Sequence, residues 1–161
     1  KIKFPDHHSL LINNRAISNK AETFIFYERS ISSHSSLIEN PQIDGLSKTI
    51  SEYEVETLTL EKYCKVNDIN NIDLLKIDAE GHEEYILKGS KNLLKKNKIN
   101  VIYLEVLSKK KNFQFKKEKI INFLGKFGFS FIKEYPIKSV SILSDLKSSD
   151  LLFSNENYEN K

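Results

Sequence analysis

The chain has no methionine, no tryptophan, one cysteine and only two arginines, Arg15 and Arg29. Each shortage excludes something. The single Cys64 cannot make an internal disulfide, which fits a reducing, cytoplasmic compartment and a small half-buried packing role. Arginine forks do most of the bidentate reading of phosphates and bases. A chain whose 25 basic residues are nearly all lysine, against 22 acidic ones, therefore lacks a nucleic-acid footprint. No apolar run approaches the ~18 residues of a membrane-spanning helix, and no secretory leader pattern opens the chain. The five glycines form neither G-x-G-x-x-G nor a P-loop. One cysteine and four dispersed histidines cannot build a zinc pattern, and no G-x-S-x-G elbow is present. His7-His8 reads as solvent-facing. With no methionine and a start at Lys1, the chain reads as a fragment whose beginning is missing.

What is there is one domain's worth of chain, 161 residues with 39% hydrophobic content. Residues 9–17 and 22–28 read as two strands joined by a short turn at 18–20. Residues 29–52, rich in serine with Pro41 and Gly45, have no clean period and read as a long loop. A short strand at 54–58 precedes a helix capped by Thr59 and running to Val66. Residues 73–78 form an apolar strand, 83–96 a helix, and 101–107 a strand apolar enough to be buried on both faces. Together they predict a parallel strand–helix–strand unit, right-handed by rule. Gly89 in that helix suggests close packing onto a sheet. The Lys109-Lys110-Lys111 run reads as a solvated loop. A helix at 115–127 ends at Gly128, and strands at 130–135 and 151–154 follow.

The stretch 73–84 concentrates the chemistry. An apolar strand stops at Asp78, Glu80 follows, Gly81 permits a sharp turn, and Glu83-Glu84 open a helix. Ligands of open α/β sheets bind at such carboxyl ends. Glu105, near the end of the neighbouring strand, can join Asp78 and Glu80, with His82 beside them. Such a set can act as general bases or as hard-metal ligands. On spacing alone, Asp78 and Glu80 read first as a cap on the following helix, since acidic residues are common before helices. The spacing leaves the other readings open.

Residues Lys76-Ile77-Asp78-Ala79-Glu80-Gly81-His82-Glu83, followed by Leu87-Lys88-Gly89, resemble the hallmark of FkbM-type S-adenosylmethionine-dependent methyltransferases. Other stretches are similar to that family too. They are Asn14-Arg15-Ala16-Ile17-Ser18-Asn19-Lys20, Ser35-Ser36-Leu37, Val55-Glu56-Thr57-Leu58-Thr59-Leu60, Leu104-Glu105-Val106 and Asp150-Leu151-Leu152-Phe153. The resemblance covers about residues 10–154. It implies an incomplete Rossmann-like class I methyltransferase sheet, mostly parallel with antiparallel C-terminal strands. Residues 1–154 would be the C-terminal part of the domain and 155–161 a polar tail. It also implies methyl transfer from S-adenosylmethionine to a hydroxyl of a small-molecule, sugar or lipid acceptor. Ala16 and Ile17 would border the adenine, and Asp78 would face the cofactor. Asp78 and Glu80, then His82 and Glu105, are the catalytic candidates.

The family's opening strand and its D-x-G-x-N-x-G loop have no counterpart here. The expectation is a missing N-terminal third, an unpaired edge on the strand at 73–78 and weak cofactor binding. Two rivals follow from the same residues. One is a non-catalytic remnant or interaction domain; the other is a carboxylate-metal hydrolase built on Asp78, Glu80 and Glu105. The acceptor and the oligomeric state are not legible.

Overall fold

In a computed structural model, residues 2–3, 9–39, 47–137 and 145–157 are described. His7, His8, residues 40–46 of the serine-rich segment and residues 158–161 lie outside them. In chain order the strands are β1 (Ile2–Lys3), β2 (Ser9–Leu10), β3 (Ala16–Ile17), β4 (Thr23–Arg29), β5 (Thr49–Leu58), β6 (Ile72–Ile77), β7 (Ile99–Lys109), β8 (Phe129–Ile137) and β9 (Leu146–Asn155). The helices are α1 (Leu60–Val66), α2 (Glu83–Gly89), α3 (Lys91–Lys95) and α4 (Lys110–Gly125).

The centre is a four-stranded sheet in the order β6-β7-β9-β8. β6 and β7 run parallel, as expected of the strand–helix–strand unit; β9 is antiparallel to both β7 and β8. A second sheet, β3-β5-β4, has a parallel β3–β5 pair and an antiparallel β4–β5 ribbon, and β1 pairs with β2 antiparallel. The fold is mixed α/β. Parallel pairing among the described strands is confined to β3–β5 and β6–β7, so the described strands do not form the expected mostly parallel sheet. The antiparallel C-terminal strands are present.

β7 alternates. Ile102, Leu104 and Val106 are fully buried, with Leu151 and Phe153 of β9 beside them and Leu87, Phe113, Ile120 and Leu124 of the helices in the same core. The intervening Tyr103, Glu105 and Leu107 are only half-buried. Burial on both faces therefore fails: one face is covered by helices and the other is polar and partly open. β6 is hydrogen-bonded to β7 alone among the described strands, and Leu74 on it is exposed. An apolar strand with one free edge is a template for further pairing.

Several boundaries differ from expectation, each for a physical reason. Within 9–17 only Ser9–Leu10 and Ala16–Ile17 are strand. β5 begins at Thr49 inside the expected loop. Its first half is exposed and held by backbone pairing with β4, so it shows no apolar pattern. The helix expected at 83–96 breaks at Ser90, whose hydroxyl donates to the Ile86 carbonyl (2.8 Å) in competition with the helical ladder. α4 starts at Lys110, five residues early, because buried Phe113 anchors an otherwise polar turn. β9 starts at Leu146 because small serines, Ser148 and Ser149, fill buried sites. It also extends through Asn155, whose buried amide donates to the Ile99 carbonyl (3.2 Å), so the polar tail begins beyond that residue. Pro136 is tolerated inside β8 because β8 lies at a sheet edge.

Candidate active site

β6 ends at Ile77, and the next residue, Asp78, stands beside the middle of β7, which runs on to Lys109, so Glu105 lies within that strand rather than near its end as expected. The chain then turns through Ala79, Glu80 and Gly81 into α2. Glu80 has φ of 47° and Gly81 of 104°. A non-glycine residue in the left-handed region costs on the order of 1–3 kcal/mol and persists only when its surroundings hold it there. Three contacts do so. The buried Ser36 hydroxyl donates to the Glu80 carbonyl at 3.1 Å. The Gly81 N–H donates to Glu83 Oε1 at 2.7 Å, and the His82 N–H donates to the Ala79 carbonyl at 3.1 Å. Ser36 belongs to the serine-rich segment and reaches the turn because it bridges to Tyr27 of β4. The sequence marked it only as part of the family-like stretch Ser35-Ser36-Leu37, without its contact to the turn.

This turn brings three of the expected residues together. Oxygens of Asp78, Glu80 and Glu105 all lie within 4.8 Å of one another. Repulsion and burial act on them jointly. Burial first, then the charges of Glu105 and Asp78, push the Glu80 carboxyl up to about 7. Glu105 is also raised, chiefly by burial and by Asp78; its hydrogen bond from the Ser148 hydroxyl opposes the shift. Asp78 is the exposed member and pairs with Lys76 Nζ at 2.7 Å. Asp150 of β9 sits opposite Glu105 in register and accepts from the Tyr103 hydroxyl at 2.7 Å, which holds that phenol up to about 12. Sequence reading took Asp150 only as part of a matching strand. Its place in the site comes from cross-strand register.

His82 lies elsewhere. It is 3% exposed, and its Nε2 is 3.0 Å from the buried Ser18 hydroxyl. Its ring stacks on Tyr85 (centroids 4.7 Å apart) and meets Phe24 edge-on. Burial lowers its pKa and so favours the neutral ring, against the opposing charge of Glu83. The imidazole clamps the segment after β3 to the start of α2. Gly89 serves the same junction: a Cβ there would stand 2.2 Å from the Ser18 carbonyl. The close packing expected at Gly89 is thus real, against the backbone just past β3.

Glu83 is also buried, at 1% exposure. Besides the Gly81 N–H it takes Lys116 Nζ at 3.2 Å, and Lys116 donates as well to the Leu107 carbonyl at 3.0 Å. This pair ties the turn to α4 and the end of β7. Ala16 and Ile17 pair with Thr57 and Leu58. Ile17 lines a separate small cleft of about 190 Å³ with Asn13, Arg15, Leu58, Leu60 and Tyr63.

The result is a mixed α/β domain with an acidic centre at the carboxyl end of β6, the usual ligand edge of such sheets. A family model described as the Methyltransferase FkbM domain matches residues 6–131, and the chain belongs to that family. At the level of the family it is a methyltransferase domain, as the motifs at 14–20 and 76–89 implied. No curated protein and no solved structure gives a match. No described helix is long and apolar enough to cross a membrane.

Proposed function

We propose that the chain is the acceptor-side part of an S-adenosylmethionine-dependent methyltransferase that acts on a hydroxyl of a small-molecule, sugar or lipid acceptor. The supporting observation is the carboxylate centre of Asp78, Glu80 and Glu105, with Glu80 held near pH 7. A base with that pKa removes a hydroxyl proton effectively at neutral pH.

The described residues fit part of the cofactor. The cleft at Ile17 is apolar in its main walls and has Asn13 donating to the Tyr63 hydroxyl at 2.8 Å. It suits a planar base but falls below the ~300 Å³ at which sites for larger ligands begin. Ile17, Tyr63 and Asn13 would hold the adenine, with Ala16 as the adjoining backbone. No described residue forms a glycine-rich turn for the amino-acid end. When bound, the cofactor supplies an electrophilic methyl carbon to the acceptor oxygen in an in-line displacement. Glu80 takes the proton from that oxygen, and Glu105 and Asp78 keep the Glu80 carboxylate basic. Ser36 and Glu83 hold the turn so that Glu80 faces Glu105.

The test is transfer of a labelled methyl group from S-adenosylmethionine to simple glycosides. Glu80→Gln should lower any transfer rate by about 10²–10⁴-fold. An unchanged rate would remove Glu80 from the chemistry. The three close carboxylates also favour a second reading, a hard-metal hydrolase site. Hydrolysis that requires Mg²⁺ or Mn²⁺ and ignores S-adenosylmethionine would favour it over methyl transfer.

A further inference from the structure

A cleft of about 570 Å³ lies between α2 and the first half of α4. Gly81, the residue that follows Glu80 in the chain, forms part of its wall. Its lining has two characters. Tyr85 and Phe115 offer aromatic surface, and Phe115 is 73% exposed. Lys88, Lys116 and Lys119 supply positive charge.

The charges do not balance. Lys116 is spent on Glu83, but Lys88 and Lys119 share the single carboxylate of Glu84, at 4.0 and 2.7 Å. One cation is therefore in excess inside the cleft. The surroundings add to it. The first turn of α4 has no acidic residue and no side-chain cap, and Lys110 and Lys111 occupy it. Positive side chains at the positive end of a helix dipole repel it. An anionic ligand would relieve that repulsion.

We propose that this cleft is the acceptor subsite and that it selects a sugar bearing an anionic group, either a phosphate or a uronate carboxylate. The inference rests on the methyltransferase reading for the word acceptor; the anion preference stands on the cleft alone. In it, Lys88 and Lys119 turn from Glu84 to the ligand's anion. Phe115 and Tyr85 pack against the sugar ring. The sugar's free hydroxyl is directed past Gly81 toward Glu80.

The experiment is a titration of the isotopically labelled protein with glucose 1-phosphate, glucuronate and glucose, with no cofactor present, read by amide chemical shifts. Saturable shifts at Gly81, Ser108 and Asn112 with one or both anionic sugars, but not with glucose, are expected. A response to the phosphate alone or to the uronate alone identifies which anion the cleft takes. The double variant Lys88→Gln, Lys119→Gln should weaken that binding at least tenfold, with its circular dichroism unchanged. Both lysines are exposed, so the variant retains the fold. Equal binding of glucose, shifts only in other parts of the molecule, or parent-like binding by the double variant would overturn the proposal. Anion binding without methyl transfer overturns the activity reading and leaves the cleft standing. Methyl transfer without anion binding does the reverse.

Discussion

Within six residues, 78–83, the same acidic turn faces two ways. Asp78 and Glu80 point to the open side of the sheet, where they crowd Glu105. His82 and Glu83 point inward, where each is 3% exposed or less. The outward pair meets like charge, and burial raises Glu80 toward neutrality. The inward pair meets partners instead: His82 Nε2 the Ser18 hydroxyl, Glu83 the Lys116 ammonium and the Gly81 N–H, while the buried Nδ1 of His82 has no hydrogen bond among the described residues. One motif thus holds both the crowded carboxylates and the buried groups that fix the turn. The left-handed backbone at Glu80 and Gly81 separates the two.

The comparison is broken most severely from the inside. Glu83→Ala leaves the Lys116 ammonium largely buried without its carboxylate and frees the Gly81 N–H. Removing one partner of a buried pair costs about 3–5 kcal/mol. Urea unfolding should show a loss of that size. A loss below about 1 kcal/mol would mean that the turn does not depend on the pair.

The outward side gives a smaller effect of opposite sign. The fold raises the Glu80 pKa from 4.5 to about 7, so it favours the protonated form. The associated stability is fully present below pH 4.5 and is lost as pH rises through about 7. Glu80→Gln removes that loss. The variant should gain on the order of 1 kcal/mol over the parent at pH 8, after discounting for solvent screening, and little at pH 4. Thermal unfolding at the two pH values measures it. A gain independent of pH would show that Glu80 is not crowded by its neighbours.

The smallest effect belongs to the exposed Lys76–Asp78 pair. Lys76→Ala should change stability by no more than ~1 kcal/mol, and less at high salt. A larger change, measured the same way, would mean that this pair helps hold the turn.

Legibility followed burial and locality. The strand at 73–78 and the helix after Gly81 showed in the sequence because apolar residues and a glycine mark them locally. The β4 strand showed through its aromatic run. The first half of β5 and the start of β9 did not, because their strand state depends on backbone bonds to distant partners rather than on their own side chains. Among the candidate residues, Asp78, Glu80 and Glu105 could be paired on paper from adjacent parallel strands. Ser36 and Asp150 could not, since each enters through a contact or register more than 40 residues away in sequence.

By itself the sequence determined the elements around 73–107, the acidic character of the turn and, through its motifs, the family. Those are properties of short stretches: periodicity, a glycine and the order of residue types. Only the tertiary structure decided which acids face the open edge and which are buried, because alternate residues of one turn meet different neighbours. It also left a polar face beside β7 and a lysine-rich cleft next to Gly81. Both arise where separate elements are brought side by side, and no local pattern encodes that.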